Sequence, residues 1–182
     1  MGMPGAGKGK QSELLSEKTG FTIYSTGSEL RKLVTKGGAL GQNIEKVMFT
    51  GGNTPAWLAT YLFQRPLIEG SSEEGLIFEG VGRRESEAKL FPEVCEWLNR
   101  DFRVFNLIIS EDTARERLGK RREVEGRKDD APEILEKRLE NFYKDTVPSL
   151  EYLRSIGKVI DIDGEPLPEE VFKEVWENIS KL

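Results

Sequence analysis

Histidine is absent from this 182-residue sequence, and cysteine occurs once, as Cys95. Without histidine, serine-histidine and cysteine-histidine nucleophile pairs and the commonest general base of enzymes are excluded. A single cysteine permits neither a disulfide framework nor a metal site made of cysteines, and it is typical of a reduced intracellular setting. We expect Cys95, in FPEVCEWL, to lie in the core face of a helix. Phosphoryl transfer remains possible, because it depends mainly on positioning and on cations that neutralise charge.

Long apolar runs and a strong net positive charge are also missing. No stretch reaches the length of a membrane span, and the amino terminus lacks the basic-then-apolar layout of a signal peptide. With 27 lysines and arginines against 32 aspartates and glutamates the net charge is -5, which gives no long-range attraction to nucleic acid or to anionic membrane. We therefore expect a cytoplasmic monomer of one domain, with neither nucleic acid nor membrane as a partner.

Four short runs rich in β-branched and apolar residues predict strands buried on both faces, as in a parallel sheet. Segments with helical spacing separate them, so the order of elements predicts a doubly wound α/β fold with ligands at the carboxyl ends of the strands. The strand runs are FTIYS (21–25), GLIFEG (75–80), RVFNLIIS (103–110) and KVIDID (158–163).

Two helix starts are predicted from capping residues. Asn53 or Thr54 precedes a helical segment with proline near its first turn, and Asp130 with Glu133 forms a capping-box pattern. The helix after this box carries an apolar stripe of Ile134, Leu135, Leu139 and Phe142.

The first residues, MGMPGAGKGKQ, predict a phosphate-binding loop. Gly2, Gly7 and Lys8 fit the pattern G-x-x-x-x-G-K, in which backbone N–H groups surround phosphate oxygens and the lysine reaches the outer phosphates. The loop opens a predicted helix, whose first N–H groups, from Gly7 to Lys10, add to the charge of Lys8. The alternative is an ordinary glycine turn before a helix.

Four segments, GMPGAGKGKQ, YSTGSELR, GLIFEGVGRR and EGRKDDAPEILEKRLENFYKDTVPSLEYLRSIGKVIDIDG, occur in the order and spacing of adenylate kinases and their nucleoside monophosphate kinase relatives. The resemblance covers nearly the whole chain. It implies a P-loop kinase core (1–31, 64–120 and 131–182), a monophosphate-binding insertion at about 32–63 and a short lid at about 121–130. The implied reaction transfers the γ-phosphoryl group of ATP, with Mg²⁺ as cofactor, to AMP or a related nucleoside monophosphate.

The resemblance also implies roles for individual residues. Asp129 and Asp130 match lid carboxylates that position arginines, and Glu79 matches a carboxylate that orients the water molecules of Mg²⁺. The implied catalytic residues are Lys8, Arg83, Arg121, Arg127 and Arg138. The implied ATP-binding residues are Gly5, Ala6, Gly7, Lys8, Gly9, Lys10 and Arg117, the last of these stacking on the donor adenine. The implied monophosphate-binding residues are Thr26, Arg31, Gly80, Arg83 and Glu87.

The sequence departs from the family pattern near the implied binding sites of the donor phosphates and of the acceptor phosphate. Lys10 replaces a threonine that helps to organise phosphates and Mg²⁺, and Glu79 replaces an aspartate. Val81, Gly82 and Arg84 stand in EGVGRR where the family has DGFPRT, so a rigid proline turn beside Arg83 is lost.

Glu87 replaces a glutamine that reads the acceptor adenine. An ionised glutamate offers only acceptors, which suit the adjacent donors of guanine better than the adenine edge. We therefore hypothesise an altered acceptor base such as GMP, the alternative being that Glu87 is an exposed helix residue.

The strand that normally precedes the phosphate loop in the middle of the sheet is not found before Gly2. A late start of the numbering, a misassigned start codon or a truncation would account for this, and a genuine deletion would be expected to destabilise or rearrange the loop. Two functional alternatives follow from the departures: a nucleotide-binding pseudokinase, and a P-loop phosphotransferase with a non-nucleotide acceptor.

Overall fold

The computed structural model describes residues 1–71, 74–125 and 131–181. Predicted lid residues Arg127, Asp129 and Asp130 lie outside these ranges. Helices and strands alternate through much of the chain, as the sequence predicts. In chain order they are α1 (Lys8–Thr19), β1 (Thr22–Ser25), α2 (Thr26–Lys36), α3 (Gly38–Phe49), α4 (Ala56–Glu69), β2 (Leu76–Glu79), α5 (Glu85–Trp97), β3 (Val104–Ile108), α6 (Glu111–Glu125), α7 (Pro132–Asn141), a π-helical turn (Phe142–Thr146), α8 (Val147–Ser155), β4 (Val159–Asp163) and α9 (Pro168–Ile179).

The strands form two parallel pairs. β1 pairs with β2 and β3 pairs with β4, each pair a two-stranded sheet among the described residues. The expectation of strands buried on both faces is wrong for most of their residues, which are only half-buried. Each strand of a two-stranded sheet has a lateral edge, so its side chains are covered less completely than those of a central strand.

The first residues of the chain run beside β3. Gly2 forms a parallel bridge with Leu107, and the N–H of Leu107 donates to the carbonyl of Met1 at 3.2 Å. Gly2 has φ +123°, and an added Cβ would collide with the Leu107 carbonyl oxygen, so only glycine fits here. The phosphate loop therefore starts directly at the edge of the β3–β4 pair.

Three apolar clusters hold the elements together. The largest joins the phosphate loop to β3, β4, α6, α7 and α9 and includes Met3, Ala6, Leu107, Leu118 and Val175. Cys95 belongs to a second cluster between α4 and α5, as expected of a helix-core residue, and burial raises its pKa to about 11. A third cluster lies within α2, α3 and α4 and contains Leu30, Ile44, Leu58 and Leu62.

The α2–α4 cluster gives the predicted insertion (32–63) its own apolar core, while its boundaries stay a prediction. One predicted helix cap is wrong, because α4 is preceded by Pro55 and is not capped by Asn53 or Thr54. Helix α7 is preceded by Ala131, and Asp130 of the predicted capping box lies outside the described residues. Asn53 and Thr54 instead bond to residues outside the insertion, as described below. No helix in the described ranges has both the length and the apolar character that a membrane crossing requires.

Candidate functional site

A cavity of about 760 Å³ opens above the phosphate loop, within the size range of small-molecule sites. Its walls come from the phosphate loop, the start of α2, the α3–α4 and β2–α5 loops, α6 and α7. Ala6 is not part of the wall; it is buried in the apolar cluster beneath the loop. The other described residues of the predicted site line this cavity: Gly5, Gly7, Lys8, Gly9, Lys10, Thr26, Arg31, Glu79, Gly80, Arg83, Glu87, Arg117, Arg121 and Arg138.

The loop turns through left-handed glycines before α1 begins. Gly5 has φ +86° and Gly7 has φ +85°, conformations that glycine adopts without strain. Gly7 is the residue that precedes Lys8, the first residue of the helix. The N-terminal N–H groups of α1 therefore face the cavity floor, where an anion is stabilised by the helix dipole.

Lys8 lies on the cavity floor and donates from Nζ to the carbonyls of Gly2 (2.8 Å) and Met3 (2.7 Å). An ammonium group has three donors, so the protonated form keeps one for a further acceptor. Loss of hydration, followed by the repulsion of the Arg83 guanidinium, lowers the pKa of Lys8 to about 7, while the Glu79 carboxylate opposes both. Lys8 thus changes charge near neutral pH.

Glu79 and Lys10 both line the cavity near the start of α1. Glu79 ends β2, and its two carboxylate oxygens are 3.8 and 3.9 Å from the position that a Cβ on Gly9 would take. The side chain of Lys10 is exposed at the cavity wall. Within the described residues there is no group of three histidine, cysteine, aspartate or glutamate side chains that could hold a metal ion unaided. A metal here would therefore depend on a ligand's own oxygens.

The β2–α5 loop brings Arg83 to the cavity. Gly80 has φ +79°, and a Cβ added there would lie 3.0 Å from Arg83 Nη2, because the guanidinium lies over this glycine. Gly82 has φ +71°, which proline cannot adopt because its ring fixes φ near -65°. A proline at position 82, as in the family pattern, would therefore require a different conformation of this loop.

Arg83 is exposed to the open cavity but has protein around it on most sides. The reduced hydration lowers the pKa of Arg83, and the Arg138 guanidinium lowers it further. The Glu87 and Glu79 carboxylates act in the opposite direction. Arg121 and Arg138 contribute in the same way to the lowered pKa of Lys8. The cavity thus holds mutually repelling cations, an arrangement that a polyanion would relieve.

Glu87 is 3% exposed, so the alternative that it is an exposed helix residue is wrong. Its Oε2 accepts from the backbone N–H of Arg83 at 3.0 Å, and its Oε1 lies 3.7 Å from Arg84 Nη1. Burial raises the pKa of Glu87, whereas the Arg83 N–H and the Arg84 guanidinium oppose that shift. The carboxyl group therefore both lines the cavity and holds the loop that carries Arg83.

Thr26 and Arg31 reach the opposite wall from α2. Ser25, the last residue of β1, caps this helix by accepting from Ser28 N–H at 3.4 Å. Thr26 is consequently the first helical residue and is buried at the cavity edge, while Arg31 follows more than one turn later. Since β1 pairs with β2, this wall lies next to the Glu79 end of the neighbouring strand.

Arg84 links this region to the α3–α4 loop. Its Nη1 donates to the carbonyl of Thr54 at 2.7 Å and its Nη2 to that of Asn53 at 3.4 Å. Asn53 Nδ2 in turn donates to Asp145 Oδ2 at 2.7 Å, and Asn141 Nδ2 donates to the carbonyl of Gly51 at 2.8 Å. We call these contacts the insertion clamp, since they fasten the α3–α4 loop to the rest of the protein.

Arg117 approaches the cavity from α6. Its Nη1 donates to the carbonyl of Gly164 at 2.8 Å and its Nη2 to that of Glu165 at 2.9 Å. Two bonds from one planar guanidinium fix the plane of the group, and a fixed guanidinium can stack on a planar base.

Sequence reasoning did not find the residues of the insertion clamp or the acceptors of Arg117. Arg84 is visible in the sequence only as a departure from the family pattern. Asn53 suggested a helix cap, and Asn141 and Glu165 carry no local signal. Each of these residues contacts a partner 30 to 92 positions away in the chain, and such contacts have no sequence periodicity.

The chain is similar to known adenylate kinases over its whole length. The family model for adenylate kinase matches residues 1–158. The adenylate kinase of Cyanothece sp. is 32% identical over 182 residues, covering 100% of this chain and 93% of that protein. The adenylate kinase of Azobacteroides pseudotrichonymphae is 35% identical, with 100% and 95% coverage. Adenylate kinase isoenzyme 1 of Gallus gallus is 31% identical over 188 aligned positions, with 100% and 93% coverage.

Proposed function

The chain belongs to the adenylate kinase family, and on that premise we propose that its cavity transfers the γ-phosphoryl group of Mg²⁺-ATP to a nucleoside monophosphate. The chain is an ATP-dependent nucleoside monophosphate phosphotransferase of P-loop α/β architecture. The products are two nucleoside diphosphates. AMP is the acceptor that the family's name implies.

The observation that carries the proposal is the collection of cations around the phosphate loop. Lys8, Arg83, Arg121 and Arg138 converge on one cavity from four different parts of the fold. Transfer between two nucleotides brings several phosphate charges together, and preorganised cations stabilise the transition state of such a step. The absence of histidine is no obstacle, because no strong general base is required for this chemistry.

We assign the donor to the loop side of the cavity. The backbone of Gly5, Gly7, Gly9 and Lys10 holds the donor phosphates, and Lys8 bridges the outer ones. Arg117, fixed by two carbonyls, stacks on the donor base. Arg121 and Arg138 neutralise the transferring group, with Arg127 joining them from the lid that Asp129 and Asp130 help to order.

We assign the acceptor to the α2 and β2–α5 side. Arg31 and Arg83 pair with its phosphate, since a guanidinium matches a phosphate with two parallel hydrogen bonds. Thr26, the Gly80 backbone and Glu87 surround its base. The two nucleotides then meet at the Lys8 end of the cavity, where the phosphoryl group passes between them.

Mg²⁺ is compatible with the residues at this site. Mg²⁺ keeps several water ligands and binds through one or two carboxylates together with substrate phosphates. Glu79, whose carboxylate faces Gly9, supplies such a carboxylate and would hold the ion through water. The ion would add positive charge to the donor phosphates, which the protein's own cations only partly neutralise.

The acceptor base is a second question, on which Glu87 bears directly. An ionised carboxylate at this position accepts from neighbouring donors, as guanine provides. Its position in the cavity wall supports GMP as an alternative acceptor to AMP.

A coupled assay of diphosphate production, with Mg²⁺-ATP and AMP, GMP, CMP or UMP in turn, tests both points. Turnover of AMP or GMP supports the kinase, and strict preference for AMP contradicts the altered-base alternative. Lys8→Met is the negative control. Absence of turnover with every acceptor, while ATP still binds, would identify a pseudokinase and overturn the proposal.

A further inference from the structure

The loop between β4 and α9 is joined to α6 by hydrogen bonds that run in both directions. The Glu165 carboxylate accepts from the backbone N–H of Ser110 (2.6 Å, to Oε1) and from Thr113 Oγ1 (2.7 Å, to Oε2). Arg117, further along α6, donates back to the carbonyls of Gly164 and Glu165. Loop and helix therefore hold each other at two separate points.

The loop has little freedom at its other end. The N–H of Gly164 donates to the carbonyl of Ile108 at 2.8 Å. A Cβ on Gly164 would lie 2.9 Å from Ile109 Cγ2 and 3.0 Å from the Ile108 carbonyl oxygen, so the backbone lies directly on the end of β3. Glu165 is the next residue, and its own N–H donates to Asp163 Oδ1 at 3.0 Å. These bonds fix the β4 end of the loop, and the Glu165 carboxylate joins the loop to the start of α6.

The carboxylate is placed where α6 begins. Ser110 precedes the helix, and its Oγ accepts from Thr113 N–H at 3.2 Å, so the first turn is capped. The positive end of the helix dipole favours a negative charge here. The bond from Thr113, followed by that from the Ser110 N–H, lowers the pKa of Glu165, which is therefore ionised at neutral pH.

We propose that Glu165 is a positioning residue for the donor nucleotide: by holding the β4–α9 loop on α6, it keeps the carbonyls that orient the Arg117 guanidinium in place. This inference rests on the proposed role of Arg117 as the surface on which the donor base stacks. A guanidinium already fixed in its plane loses little freedom when the base binds, so donor affinity is preserved. Glu165 itself does not contact the nucleotide in this scheme.

Replacing Glu165 should weaken the binding of the donor nucleotide only. Glu165→Gln keeps the side-chain length but removes the charge and one of the two carboxylate acceptors. We expect the KM for ATP to rise about tenfold, with kcat and the KM for AMP within about twofold of the parent enzyme. Glu169→Gln, in the exposed first turn of α9, is the matched control and should change neither KM.

Two further measurements separate positioning from general loss of structure. Inorganic tripolyphosphate competes with ATP for the phosphate loop without a base, so its inhibition constant should not change in Glu165→Gln. In an Arg117→Ala background, Glu165→Gln should raise the KM for ATP no further, because residues that act through one another are not additive. Thermal unfolding of each variant verifies that it is folded.

The outcomes are distinguishable. If Arg117→Ala raises the KM for ATP but Glu165→Gln does not, the inference about Glu165 is overturned while the proposed function stands. An additive effect in the double variant, or an equal rise in the KM for AMP, would also overturn it. If Arg117→Ala leaves the KM for ATP unchanged, the proposed role of Arg117 itself fails.

Discussion

Arg84 donates a 2.7 Å hydrogen bond from Nη1 to the carbonyl of Thr54, 30 residues earlier in the chain. The bond connects the loop that carries Arg83 with the loop between α3 and α4. The Arg84 side chain lies 3.7 Å from Glu87 at the same time, so one guanidinium spans the buried carboxylate and the insertion. This contact holds together the side of the cavity to which we assign the acceptor.

Removing the Arg84 guanidinium should weaken acceptor binding. In Arg84→Ala the insertion clamp loses two hydrogen bonds, and Glu87 loses its cationic neighbour. We expect the KM for the monophosphate to rise about fivefold, or about 1 kcal/mol, while the KM for ATP is unchanged. Steady-state kinetics with each substrate varied in turn measures this. Arg103→Ala, which removes an arginine paired with Asp101 outside the cavity, serves as the control. A selective rise in the KM for ATP would contradict the assignment of this side to the acceptor.

ATP binding should depend on pH through Lys8. The pKa of Lys8 is about 7, so the ammonium form predominates at pH 6 and the neutral amine at pH 8. Phosphate oxygens bind the ammonium form, and binding therefore weakens as the pH rises through 7. We expect the Kd of Mg²⁺-ATP to increase about tenfold between pH 6 and pH 8. Calorimetry measures it, and Lys8→Met should bind weakly with a flatter profile. Equal pH dependence in both proteins would exclude Lys8 as the titrating group.

Replacing Glu87 should change the preference of the enzyme between acceptor bases. Glu87→Gln restores a side chain with one donor and one acceptor, which matches the adenine edge, and its carbonyl can still accept from the Arg83 N–H. We expect the ratio of kcat/KM for AMP to that for GMP to rise about tenfold. Glu85→Gln, on the exposed face of the same helix, is the matched control. An unchanged ratio would mean that the base does not contact position 87.

Lys10 should reduce the affinity for Mg²⁺. Its ammonium lies at the cavity wall on the loop side, where it repels a divalent cation and competes for phosphate oxygens. We expect Lys10→Thr to lower the Mg²⁺ concentration needed for half-maximal activity about threefold. Lys10→Gln removes the charge without adding a hydroxyl, so comparing the two variants separates repulsion from the loss of a hydroxyl ligand. A higher Mg²⁺ requirement in both variants would refute the repulsion.

The sequence was sufficient to predict the strands, most helices and the cavity-lining cations. Continuous apolar runs mark β1 to β4, and the spacing of the glycines with Lys8 marks the loop, because these signals are local. The caps assigned to Asn53 and Thr54 were wrong because α4 begins at Ala56, so that Pro55 occupies the N-cap position. Glu87 could not be recognised as buried, because the cavity wall to which it belongs is assembled from elements that are far apart in the chain. The monomeric state and cytoplasmic location stay predictions.

The α2–α4 cluster has a consequence for the temperature dependence of motion. Leu30, Ile44, Leu58 and Leu62 pack against one another, so a swing of these helices as one body leaves their apolar contacts intact. Such a swing breaks the polar contacts of Arg84, Asn53 and Asn141, which water can replace. Because Phe63 and Leu67 of α4 also pack against α5, the swing exposes apolar surface there as well. The heat-capacity change of opening should therefore be positive, and its free energy should curve with temperature.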